Sequence, residues 1–192
     1  MVKTDKFKKV EIITPGELRR WLLKNHNQAE SVWLVTYKKS EGEKYVSVNQ
    51  VLDELISFGW IDGIRRKLDS ERTMQLISPR KSQHWSGTYK ERAQKLINAR
   101  RMHDSGFKSI ERSKKLGLWN FLDDVDALIK PKDLQEALAR YPNALNNFNN
   151  FPPSNQRFIL RWIKLSKKDT TRSSRIEKVA KLTSIGEKIP GL

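Results

Sequence analysis

The sequence predicts an α+β fold: a small antiparallel sheet packed with helices in the N-terminal part, followed by a helical C-terminal module. Period-two alternation of apolar and polar residues is confined to the first half, near 31–38, 63–68 and 72–78. Apolar residues at helical spacing occupy most of the remainder. Helix-start signatures recur in step with them, with Pro and Gly at the breaks. The expected organisation is an α+β domain over 1–130 and a helical module over 131–192.

In "TPGELRRWLLKNH", Thr14 is placed to cap, Pro15 suits the first helical position and Glu17 completes a capping box. Leu18, Trp21 and Leu22 then share one face. "SVWLVTYKK" sets Val32, Leu34 and Thr36 against Trp33, Val35 and Tyr37, which reads as a strand covered on both faces. A second capping box, Ser47 with Gln50, opens a helix whose stripe is Val48, Val51, Leu52, Leu55, Ile56 and Trp60. "GIRRKLD" and "TMQLISPR" read as strands joined by "DSER". In "FGWIDGIRRKLD", the Asp62-Gly63 dipeptide predicts a turn between helix and strand, with Trp60 mostly buried. By alternation, Arg65 and Lys67 then share one strand face and Arg66 takes the other, with Asp62 the nearest acid able to pair with a base turned inward.

From Ser86 a long helix runs through "GTYKERAQKLINARRMH", and Asp104 is placed to cap a shorter one through "FKSIERSKKLG". The acidic stretch 119–132, ending at Pro131, is the candidate linker. "KDLQEALARYP" stops at Pro142, "NALNNFNNF" runs into "PPSN", and Pro153 reopens a helix bearing Phe158, Ile159, Trp162 and Ile163. Asp169 is placed to cap the last helix, which Gly186 terminates.

The chain has 192 residues, 37% of them hydrophobic, with six Trp, so it can bury a real core. With no Cys, it forms no disulfide, thiolate metal site or Cys nucleophile. The start "MVKTDKFKKVEI" lacks the apolar run of a secretory signal, and no run approaches the roughly 18 residues of a membrane span. A cytoplasmic location is expected. The 38 Lys and Arg against 22 Asp and Glu give a net charge of +16. From Gly63 to His103, 11 bases face three acids; from Arg157 to Lys188, ten face three; between them, 119–156 has three bases against five acids. Such blocks attract polyanions over long range.

His26, His84 and His103 stand far apart, outside metal-binding spacings, so each reads as a surface or capping residue and no metal or cofactor is expected. The chain lacks GxxxxGK[ST], GxGxxG and GxSxG patterns, which leaves no phosphate cradle and no nucleophile elbow. No catalytic residue stands out. The candidate anion or nucleic-acid residues are Lys38, Arg65, Arg66, Arg80, Lys81 and Trp85, bases interleaved with an aromatic ring. The candidate pocket residues are Trp33, Tyr37, Trp60 and Asp62, with Asp62 orienting Arg65 or Arg80 toward a phosphate or carboxylate. The plain alternative makes the Trp residues core, the bases a solvated rim and Asp62 a turn residue.

"VWLVTYKK", "VLDELISFGWIDGIRRKLD", "ISPRKSQHWS", "ERAQKLINARRM" and "NQRFILRWIKLSKKDTTRSSRIEKV" stand in an order that resembles the YdeI/OmpD-associated, bacteriocin-protection family, roughly from Thr14 to Ile185. That resemblance implies a small bacterial protein with an α+β part and a helical module. It carries over no catalytic residues. The expected function is therefore a non-enzymatic protein whose basic surface binds an anionic partner, nucleic acid first among polyanions. The alternatives are a small-molecule pocket or enzyme around Trp60, Asp62 and Arg80, or a stress-linked interaction module.

Overall fold

The computed structural model describes residues 6–187 and 189. The chain divides into two compact units, residues 1–120 and 121–192. The first is α+β and the second entirely helical over its described residues.

The first unit begins with β1 (Lys9–Glu11), α1 (Pro15–Asn25) and β2 (Val32–Tyr37). Thr14 caps α1 by accepting the Glu17 amide at 3.2 Å, while the Glu17 carboxylate reaches back to the Ile13 amide at 2.8 Å. β1 pairs parallel to β2, a pairing that needs a crossover helix, and α1 supplies it. At three residues β1 is too short to show alternation and carries no local sign, and the sheet is mixed instead of antiparallel throughout. The expected burial of β2 on both faces holds: Val32 to Thr36 are all buried.

A 3-10 segment (Lys39–Lys44) leads to α2 (Val48–Ser57), which opens on the full Ser47–Gln50 capping box. β3 (Trp60–Lys67) and β4 (Arg72–Pro79) form the hairpin, and the strand order is β1-β2-β4-β3. The expected turn at Asp62-Gly63 is not one. Gly59 turns the chain out of α2 with φ +72, and Asp62 and Gly63 lie inside β3 at a register shift. Gly59 takes that role because its positive φ costs little without a Cβ. Trp60 is wholly buried, as its place on the apolar stripe predicts. From Gly63 to Lys67 every residue is exposed, because β3 is the edge strand and its end outruns the helices. No base there is forced inward.

α3 (Gly87–Asn98) is shorter than expected, since Arg100 enters the left-handed region at φ 55 and ends the periodic run. α4 (Asp104–Lys115) is capped by His103, whose Nδ1 accepts the Ser105 amide at 3.2 Å; Asp104 stands in the first turn instead. One core of this unit joins α1, α2 and the sheet through Leu18, Leu22, Leu34, Leu55, Phe58 and Trp60. The other gathers Ile56, Trp85, Ala93, Leu96 and Ile110.

The second unit comprises α5 (Asp123–Asp126), α6 (Lys132–Ala139), α7 (Ala144–Asn150), α8 (Pro153–Lys164) and α9 (Asp169–Ser184). Leu122 and Val125, from the stretch read as a linker, are buried in its core with Phe148, Ile163 and Val179. Pro153 opens α8, Gly186 at φ +73 follows α9, and Lys168, not Asp169, is the residue before the first turn of α9.

α4 lies unusually close to the α2–β3 corner. The His103 amide donates to the Ser57 carbonyl at 3.0 Å and the Ser105 hydroxyl to the Phe58 carbonyl at 3.0 Å. A Cβ on Gly106 would fall 2.3 Å from the Ser57 oxygen. Gly106→Ala is expected to destabilise the first unit by about 1–3 kcal/mol through overpacking against backbone. Gly16→Ala, whose Cβ meets nothing nearer than 3.7 Å, is the matched control. Equal denaturation midpoints for the two variants would show that the corner yields.

Candidate functional site

Alternation along β3 turns Trp60 and Asp62 to the helix side of the sheet. The Trp60 indole donates to the His26 carbonyl at 3.2 Å and meets Trp21 edge-on at 5.5 Å. Asp62 accepts from Gln75 Nε2 at 3.0 Å and from the Tyr89 hydroxyl of α3. Gln75 Oε1 in turn accepts from Arg65 at 3.0 Å, so Asp62 reaches Arg65 only through the amide. Burial, reinforced by the Asp62 carboxylate, pushes the Tyr89 hydroxyl well above its ordinary range.

Arg80 leaves β4 and turns inward, with 6% exposure. Its guanidinium lies 4.1 Å from the Trp85 ring centre and 5.3 Å from that of Tyr89. Nη1 donates to the Gln83 and His84 carbonyls at 3.3 and 3.4 Å, while Nε has no partner among the described residues. Burial lowers its pKa to about 10, opposed by the fields of Tyr89 and Asp62. Trp85, 1% exposed, donates to Ser113 Oγ at 2.9 Å. Asp62, Tyr89, Arg80 and Trp85 thus form one cation–aromatic cluster that fills its own space.

The other candidates lie elsewhere. Trp33 pairs with Leu76 while its neighbour Leu34 pairs with Gln75, which puts Trp33 and Tyr37 on the sheet face opposite Asp62. Trp33 is buried and Arg66 lies over it at 5.4 Å. Tyr37 donates to Glu11 at 2.7 Å, which raises the phenol's pKa and lowers the carboxylate's. Lys38 donates to the Asp69 and Ser70 carbonyls, tying β2 to the hairpin turn. Arg72 links that turn to β1 through Asp69 and Glu11, both at 2.7 Å. Lys81 is exposed, its ammonium 3.5 Å from the Ala29 carbonyl.

Three features went unread in the sequence. Glu54, 3% exposed, accepts from Arg19 at 2.9 Å and Arg101 at 2.6 Å, while neighbouring Asp53 takes Arg92 at 2.5 Å. His26 and His103 meet with ring centres 4.8 Å apart, and His103 stacks on Phe58 at 4.6 Å. Thirdly, the outward face of α4 carries Lys108, Arg112 and Lys115, all exposed and without an ion-pair partner among the described residues. With Glu111 and Leu116 they line a shallow depression of about 470 Å³. Their spacing of four and three residues is the signal that could have disclosed the face.

In the second unit, α9 and α8 bases are largely tied: Arg172 to Asp133 at 2.6 and 2.9 Å, Lys164 to Asp124, Arg175 to the Trp162 carbonyl and Lys181 to Glu177. Arg161, Lys167, Lys168 and Lys178 are exposed and have no ion-pair partner among the described residues. Lys188, counted in the second basic block, lies outside the described residues. Among the described residues no three His, Asp or Glu side chains are grouped to hold a metal ion, and no helix is long and apolar enough to cross a membrane.

The features described are those of a basic α+β unit followed by a helical module with its own core. Residues 10–109 match the family model described as a domain of unknown function, DUF8412, and the chain belongs to that family. Residues 127–186 match the family described as Bacteriocin-protection, YdeI or OmpD-Associated. That family was expected from Thr14 onward; its model matches within the helical module, and "FGWIDG" falls in the DUF8412 stretch. No curated protein and no solved structure matches the chain.

Two outcomes follow from this chemistry. Glu54→Ala removes the buried carboxylate that Arg19 and Arg101 share and is expected to cost about 1–3 kcal/mol, read as a lower denaturation midpoint. Burial disfavours the His103 cation and holds its pKa below the ordinary imidazole value of about 6.5, helped by His26, Arg19 and Lys108 and opposed by Asp104. A base whose folded pKa is depressed binds fewer protons folded than unfolded. Its contribution is complete above about 6.5 and is lost as pH falls from there through the folded pKa. His103→Asn keeps a capping acceptor and removes the titration. Its stability should vary less between pH 7 and 5 than that of the parent; parallel curves would assign the pH dependence to other groups.

Proposed function

We propose that the protein is a non-enzymatic, sequence-independent nucleic-acid-binding protein that holds the phosphate backbone on its basic surface. The observation that carries the reading is the face of α4, where Lys108, Arg112 and Lys115 stand exposed and unneutralised. Four acids of the first unit are engaged elsewhere, Glu11 and Asp69 with Arg72, and Asp53 and Glu54 with Arg19, Arg92 and Arg101, and Glu111 is the one acid that lines the depression with the three bases. Their cations hold the fold, which leaves the α4 lysines and arginine for a partner. Exposed Arg65, Lys67 and Lys81 on and beside the β3–β4 hairpin add to the same positive field. Phosphates, spaced regularly and all anionic, are the chemistry such a surface fits, and binding releases their counterions.

Affinity for DNA or RNA should therefore fall steeply as salt rises. Replacing Lys108, Arg112 and Lys115 together with Ala is expected to reduce the slope of log affinity against log salt by about 2–3, near 1 per phosphate contact. All three side chains are exposed, so the variant should keep its denaturation midpoint. Failure of the parent protein to bind any nucleic acid at low salt would remove the reading.

A further inference from the structure

We infer that the nucleic acid is single-stranded and that the exposed rings of Phe107 and Phe158 are its stacking platforms, an inference that rests on the nucleic-acid reading above. A lone exposed apolar side chain is ordinary on a protein surface. What distinguishes these two is their company. Phe107, 41% exposed, stands on α4 next to Lys108, with Glu111 one turn beyond it and Arg112 and Lys115 further along the helix. In the other unit Phe158, 48% exposed, lies on α8 between Arg157 and Arg161 in sequence. Arg161 is exposed with no ion-pair partner among the described residues, and Arg157 makes only a 3.4 Å bond to the Asp126 carbonyl.

Each arrangement sets an exposed apolar ring next in sequence to, or one helical turn away from, an exposed cation with no ion-pair partner among the described residues. That is the pairing a single strand needs: an unstacked base lies on the ring while its phosphate meets the charge. A duplex keeps its bases stacked inward and offers the rings nothing to cover. Three of the six tryptophans are unsuited to the role, since Trp33, Trp60 and Trp85 are no more than 2% exposed. Stacking on Phe is tolerant of base identity, so sequence preference is expected to be weak.

The test uses the full chain with fluorescein-labelled oligothymidine and with its duplex with oligoadenosine, read by anisotropy. Oligothymidine should bind more tightly than the duplex. Phe107→Ala and Phe158→Ala should each weaken it by about 5- to 100-fold while leaving duplex affinity and the salt slope unchanged, because a stacked base and not a phosphate contact is lost. Phe107→Trp should retain or strengthen single-strand binding. Both rings are exposed, so the variants should fold, and their denaturation midpoints check it. Equal affinity for both probes, or Ala variants that bind oligothymidine like the parent, would overturn the inference. If the Lys108/Arg112/Lys115 variant still lowers the salt slope in that case, the phosphate-binding reading survives alone. Binding of neither probe at low salt would overturn both.

Discussion

The first unit depends on a carboxylate buried in an otherwise basic protein. Glu54 lies on α2 at 3% exposure and accepts from Arg19 of α1 and from Arg101 of the turn before α4. Arg19 also donates to the Arg101 carbonyl at 3.2 Å, closing a ring across three segments distant in sequence. An ionised group so far from water persists only where its hydrogen bonds are filled. With the turn held, the His103 amide meets Ser57, and Gly106 lets α4 come down onto the α2–β3 corner. The outward face of α4, with Lys108 and Arg112, points where it does because of that corner.

Charge in this unit is divided between pairs and surface. Arg19, Arg72, Arg92 and Arg101 join secondary-structure elements through carboxylates, and a planar fork with five donors suits that work. Lys67, Lys81, Lys108 and Lys115 remain on the surface, as do Arg65 and Arg112. Over the whole chain the 38 bases outnumber the 22 acids, so even full pairing leaves an excess of cations. Such an excess steers an anionic partner before contact, while short-range groups determine what is retained.

The aromatic residues divide in the same way. Trp60 and Trp85 bury their rings, and each satisfies its single donor, on the His26 carbonyl and the Ser113 hydroxyl. Arg80 is drawn in with Trp85 and Tyr89, exchanging water for two ring faces and two long carbonyl contacts. Phe107 and Phe158, at 41% and 48% exposure, are left largely outside the cores of their units.

Much of the fold was legible because it is local. The Ser47–Gln50 box, the Thr14 cap, the DSER hairpin and the helices opened by Pro15 and Pro153 each follow from residues within one or two turns of each other. By itself, then, the sequence determined most of the elements and their order, the burial of β2 and Trp60, and the excess of positive charge, while the short β1 and α5 left no local sign. Position in space was not local. Whether Asp62 meets an arginine or a tyrosine depends on where α3 packs. Arg80 faces inward onto Trp85 while Lys81 faces outward, and Glu54 and Asp53 take Arg19, Arg92 and Arg101 and none of the α4 bases. Ion pairs join residues dozens of positions apart, and periodicity carries no record of such partners. Only the tertiary structure could decide which of the many cations were left over.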